Sequence, residues 1–229
     1  MQVPFTVEQF LDVFAAYNTA IWPAQYLAYA FGVAIILYAY SDWKYRARIA
    51  YSLLAALWIF TGIGYHILHF SEINSAATPF GILFIIQGLL LLWVGWFIRP
   101  RFRTRFDVYH DVGLVFVVYA MVIYPLLGRI FGHTFPAAPV FGLTPCPLTI
   151  FTFGVLLWTD KTLPKWVPVI PFIWSLIGST AAFSLGVPED YGLLVAGVVG
   201  SIILWTRGHD RPGKDDAGAP DDVDGSGVT

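Results

Sequence analysis

The sequence predicts an all-α fold: a polytopic integral membrane helix bundle of about seven transmembrane helices, preceded by an amphipathic interfacial helix. Three observations predict it. Of 229 residues, 57% are hydrophobic and 12% charged, against about 25% charged in a soluble domain, and mean hydropathy is +0.67. Apolar runs of about the ~20 residues needed to cross a ~30 Å hydrocarbon core recur along the chain. The basic residues then sort by loop, as the rule that places Lys and Arg on the cytoplasmic side requires.

The elements follow in order. Thr6-Val7-Glu8-Gln9 reads as a capping box, and Val7, Phe10, Leu11, Phe14 and Tyr17 continue at helical spacing, so residues 1–19 are expected to form an amphipathic helix on the outer membrane face. With Glu8 and Asp12 and no basic residue, that helix suits packing over the bundle better than attraction to anionic lipid. Residues 20–207 form the spanning domain, with apolar runs at 20–40, 49–70, 79–98, 112–131, 141–158, 166–186 and 190–206. The first twenty residues lack a basic region and an apolar stretch of signal-peptide type, so the first span is expected to direct insertion.

Lys44, Arg46 and Arg48 follow span 1; Arg99, Arg101, Arg103 and Arg105 follow span 3; Lys161 and Lys165 follow span 5; Arg207, Arg211 and Lys214 follow span 7. Twelve of the 13 basic residues therefore share one side, and Arg129 alone departs. This places the protein in the inner (cytoplasmic) membrane, N-terminus outside and C-terminus in the cytoplasm. Were 141–158 a re-entrant loop, Lys161 and Lys165 would change sides, which favours seven spans over six. Residues 208–229, with six aspartates among Gly, Ala, Pro and Ser, are expected to be a disordered acidic cytoplasmic tail.

Chemistry is expected at the outer end. In Gly64-Tyr-His66-Ile-Leu-His69-Phe-Ser-Glu72-Ile-Asn74, His66 lies seventeen residues beyond Ile49, about 26 Å along a helix, near the outer hydrocarbon boundary. Positions three apart are offset by about 60°, so His66 and His69 can share a ligand while Glu72 swings away. Structural hydrogen bonding of interfacial histidines is the competing reading. Asn74, Arg129, His133, Thr134 and Cys146 fall on the same face. The predicted ligand-binding set is His66, His69, Asn74, Arg129, His133 and Cys146, with His66, His69 and His133 as the metal candidates and no catalytic residue assigned. Pro145-Cys146-Pro147 is expected to break the fifth helix and free backbone groups for a solute. Pro168 and Pro171 are expected to kink the sixth. The block Ala-Ala-x-x-Phe-Gly occurs at 76–81 and again at 137–142, which suggests related hairpins. Gln87 is expected to bond between helices, and Asp107 to cap span 4 and pair with nearby arginines.

Absences bound the function. Spans 6 and 7 carry no internal lysine, so no retinal Schiff base forms there, and there is no phosphate-binding glycine loop, zincin helix or nucleophile elbow. Enzyme activity and any cofactor stay open, and nothing points to nucleic acid. The leading reading is binding and transport of a small solute or ion by a protein whose partners are the lipid bilayer and that solute, with an oligomer allowed. The alternatives are a haem or redox membrane protein with His66 facing His133, and a non-catalytic anchor or sensor.

The segments Pro4-Phe-Thr-Val-Glu-Gln-Phe10, Trp22-Pro-Ala-Gln25, Tyr65-His66, Ile73-Asn74, Pro136-Ala-Ala-Pro139, Pro145-Cys-Pro147 and Ile150-Phe-Thr-Phe-Gly154 resemble a family of multi-pass prokaryotic membrane proteins, domain of unknown function 6064. The resemblance runs from residue 4 to about 206. It implies an integral membrane protein of about seven spans and supplies no activity, substrate or site residue.

Overall fold

Thr6 opens the first helix as the capping box predicts: its hydroxyl accepts from the Gln9 amide at 3.3 Å, and the Gln9 side chain accepts from the Thr6 amide at 2.9 Å. Helix α1 (Val7–Ala20) buries Phe10, Val13, Phe14 and Tyr17 on one face. The chain bends by 87° into α2 (Ala24–Tyr40). The computed structural model describes residues 4–103, 107–160 and 163–207, and among these the regular elements are all helices, with one isolated β-bridge, Phe102 to Thr159.

Helix α3 (Arg46–Phe60) runs on through a π-helical turn, Thr61–Ile67, and α4 (Ala77–Trp93) through another, Val94–Ile98. Helix α5 (Val108–Val118) passes through the π turn Tyr119–Ile123 into α6 (Tyr124–Ile130). Then come α7 (Pro145–Leu157), α8 (Val169–Leu185) and α9 (Tyr191–Thr206). Four continuous stretches, Arg46–Glu72, Ala77–Ile98, Val108–Ile130 and Pro188–Thr206, are long and apolar enough to cross a membrane, and α1 with α2 passes the same test as a bent pair. Helices α7 and α8 are apolar but shorter. Leu37, Phe97, Ile130 and Ile202 lie outward and exposed, as residues facing lipid must.

At the centre stands α7, whose residues are all buried apart from the half-buried Cys146. Its neighbours approach closely because glycines remove the side chain at the crossings: a Cβ on Gly154 would lie 2.8 Å from the Gly113 carbonyl of α5, and one on Gly81 2.7 Å from the Gly62 carbonyl of the α3 extension. Small residues at helix contacts are what association in lipid relies on. Gln87 donates from α4 to the Val167 carbonyl at 3.2 Å, so its partner is the segment before α8. Arg207 caps the end of α7, donating to the Leu157 carbonyl at 2.9 Å and the Thr159 carbonyl at 2.5 Å. Asp107 caps α5 through the Tyr109 and His110 amides, both at 3.0 Å, and pairs with Arg103.

Several sequence expectations change. Pro145 and Pro147 do not break a helix. They stand in the first turn of α7, where a missing N–H costs nothing, and the irregular chain lies before them, at 132–144. Pro168 and Pro171 likewise sit at the N-cap and first turn of α8 and start it without kinking it. The two Ala-Ala-x-x-Phe-Gly blocks differ in conformation: Gly81 is inside α4, whereas Gly142 is in a turn at φ +74°. The acidic tail, Arg105 and Lys161 lie outside the described residues.

Candidate functional site

One end of the bundle carries the Arg99–Arg103 linker and Arg207, and the opposite end carries the linkers at 61–76, 131–144 and 186–190. This histidine end is covered by α1, whose Phe14 ring stacks on Tyr65 at 5.2 Å and whose Tyr17 ring meets His69 at 5.2 Å.

The predicted residues all lie at this end, but in separate surroundings. His66 is fully buried inside an aromatic box, with ring centroids of Phe84 at 4.6 Å, Trp174 at 5.0 Å and Tyr65 at 5.2 Å, and neither ring nitrogen has a hydrogen-bond partner. His69 points the other way, its Nδ1 2.8 Å from the Gly64 carbonyl and its ring on Tyr17. The π turn explains the divergence. Bonds running from i to i+5 advance less per residue than those of an α-helix, which widens the angle between positions three apart. Glu72 is exposed, as its helical offset predicts. Nor do His66 and His133 face each other, since His133 pairs elsewhere. Among the described residues no group of three His, Cys, Asp or Glu side chains is placed to hold a metal ion, so the metal set His66, His69 and His133 is not gathered.

His133 is joined to a residue that the sequence reading passed over. Its Nδ1 lies 2.6 Å from Oε1 of Glu189, a carboxylate with no exposed surface. The other oxygen, Oε2, has no partner. Next to it Asp190, 97% buried, accepts from the Tyr124 hydroxyl at 2.5 Å and adjoins the Cys146 thiol. Tyr119 donates to the Glu189 carbonyl at 2.8 Å, which fixes the short turn Pro188–Asp190 that holds both acids ahead of α9. Two adjacent buried carboxyls in an apolar bundle are costly, and such groups mark functional positions more often than structural ones.

The two acids face different spaces. Glu189 lines a cleft of about 450 Å³ together with His133, Arg129, Tyr29, Trp22 and Phe141. Asp190 lines a smaller cavity of about 180 Å³, with Cys146, Asn74, Trp174 and Phe10. Tyr124 lines the cleft and donates its hydroxyl hydrogen bond to Asp190, so it stands in the wall between the two. The predicted set is thus divided: Arg129 and His133 belong to the cleft, Asn74 and Cys146 to the cavity, and His66 packs behind Trp174. In the sequence Glu189 and Asp190 do not stand out, because Glu8, Asp12 and Glu72 also fall at this end.

Four carbonyls of the loop at 132–144 are held by side chains of α1 and of the α3 extension. The Asn18 amide donates to Pro136 and Ala138 at 2.7 and 2.8 Å, Tyr17 to Leu143 at 2.8 Å, and Thr61 to Gly142 at 3.4 Å. These side chains supply the protein cover that irregular backbone needs at membrane depth.

No curated protein and no solved structure matches the chain. A family model does match, over residues 7–212, which takes in every described helix. On that match the chain belongs to the family of unknown function DUF6064.

Proposed function

We propose that this is a seven-span inner-membrane protein, N-terminus outside and C-terminus in the cytoplasm, that binds and moves a small solute or ion through the cleft at its outer end. Four long apolar stretches, the bent pair α1 and α2 counted as one span, and the shorter α7 and α8 add up to the seven crossings. In this reading the segment at 132–144, which precedes the short α7, makes up the rest of that crossing.

One observation carries the transport reading: Glu189 is buried on the cleft wall with one oxygen held by His133 and the other unpartnered. A carboxylate in that position is satisfied by a proton or by an arriving cation. His133, half-buried at the cleft, can pass a proton between the space and Glu189 across their 2.6 Å contact. Arg129, exposed at the end of α6, adds positive charge beside the pair and sets which ions tolerate the cleft.

The test is proton flux in liposomes that carry the purified full chain, read by an enclosed pH dye under an imposed potential. The native chain should conduct protons above protein-free liposomes, and Glu189→Gln and His133→Ala should each lower the rate by about ten-fold, as loss of a relay group does. Flux equal to that of empty liposomes, or undiminished by either substitution, overturns the reading.

A further inference from the structure

The geometry points to a binding site for a small organic ammonium ion in the cavity under α1, separate from the cleft. Its roof is Phe5 and Phe10, its walls are Tyr65, Phe80 and Trp174, and Asp190 is its acid. The inference goes beyond the transport reading and does not rest on it.

Three features select the ligand. The first is charge. Asp190 has two neutral donors, Tyr124 and Cys146, and among the described residues no basic side chain lines the cavity, while His133 is taken by Glu189. An ionised Asp190 therefore faces no positive side chain across the cavity, and a bound cation would supply one. The second is the wall. Seven of the lining residues are aromatic against one carboxylate, and aromatic rings attract ammonium groups through their quadrupole, whereas metal cations want several oxygen ligands. The Phe5 and Phe70 rings meet at 5.3 Å and Phe80 and Trp174 at 5.4 Å, so the rings of this lining pack on one another. The third is a weakly used donor: Trp174 is 93% buried, and its indole N–H has only the Cys146 thiol, a poor acceptor, beside it. A hydroxyl or carbonyl oxygen on the same ligand would satisfy it. The cavity, about 180 Å³, has room for a small organic molecule rather than for a single water.

Choline and 3,3-dimethyl-1-butanol have the same shape and hydroxyl and differ in charge, which makes them the probe pair. Binding to the purified full chain, in a maltoside detergent free of choline lipids, is read by calorimetry and tryptophan fluorescence. Choline should bind at least about ten-fold more tightly than the alcohol, since about 1.4 kcal/mol separates them when ring and carboxylate both act. Asp190→Asn should remove that preference, and Trp174→Phe should weaken choline more than it weakens tetramethylammonium, which has no oxygen. Absent choline binding, equal binding of the neutral alcohol, or an unchanged preference in a folded Asp190→Asn chain overturns the assignment. Should Asp190→Asn fail to fold, the comparison on the native chain decides alone. Glu189→Gln, the variant that tests the cleft, should leave the choline preference in place, so the two proposals fail separately.

Discussion

Gly197 on α9 shows how tightly single positions are set. A Cβ there would lie 1.8 Å from Ser175 Oγ and 2.3 Å from its Cβ, so α8 and α9 touch through the absence of a side chain. Gly197→Ala should lower the thermal stability of the detergent-purified protein by about 1–3 kcal/mol, the usual cost of overpacking, and adding Ser175→Gly should restore most of it. Glu189 teaches a different lesson about legibility. His66, His133 and Arg129 drew attention in the sequence because basic and imidazole groups are scarce in apolar runs, whereas Pro188-Glu189-Asp190 reads as an ordinary helix start. Burial at 0% exposure is a tertiary fact, created by α6 and the His133 loop folding over the turn, and no local pattern announces it. For His66 helical spacing leads to the histidine end of the molecule but not to its surroundings, since the Phe84 and Trp174 rings that enclose it come from α4 and α8.

At the scale of elements, the helices were readable where length and apolar content decide, and the α1 cap where two side chains serve each other's backbone. The π turns were not, because an extra residue per turn leaves no mark in hydropathy. Nor did the prolines of α7 and α8 reveal whether they end a helix or begin one, since both outcomes obey the same missing N–H. The irregular segment before α7 depends on Asn18 of α1, which holds two of its carbonyls. Asn18→Leu should therefore destabilise the protein by about 2–4 kcal/mol, because two carbonyls lose their donor at about 1–3 kcal/mol for each group left buried. Limited proteolysis should report cleavage within 132–144 in that variant first. Thr6→Ala, which removes the cap of α1, should cost about 1 kcal/mol and loosen the helix that roofs the cavity, raising exchange of the amides at 7–10.

For the whole molecule, the sorting of charge that gave seven crossings can be checked directly. In a Cys146→Ala background, Ser75→Cys and Lys44→Cys are both at exposed positions, at opposite ends. An impermeant maleimide added to intact cells should label the first at once and the second only after the membrane is opened. Equal labelling would remove the alternating topology, and the reverse order would invert it.

Helix α7 has a bearing on how the chain is made. Its 13 residues rise about 20 Å, short of the ~30 Å core, and almost none of its surface meets lipid. It packs on α5, made before it, and on α9, made after it. A segment too short to span alone, with half its seat not yet synthesised, cannot complete its insertion in chain order. Truncation before Tyr191 removes the α9 side of that seat and should leave α7 open to degradation even though every residue of it is present.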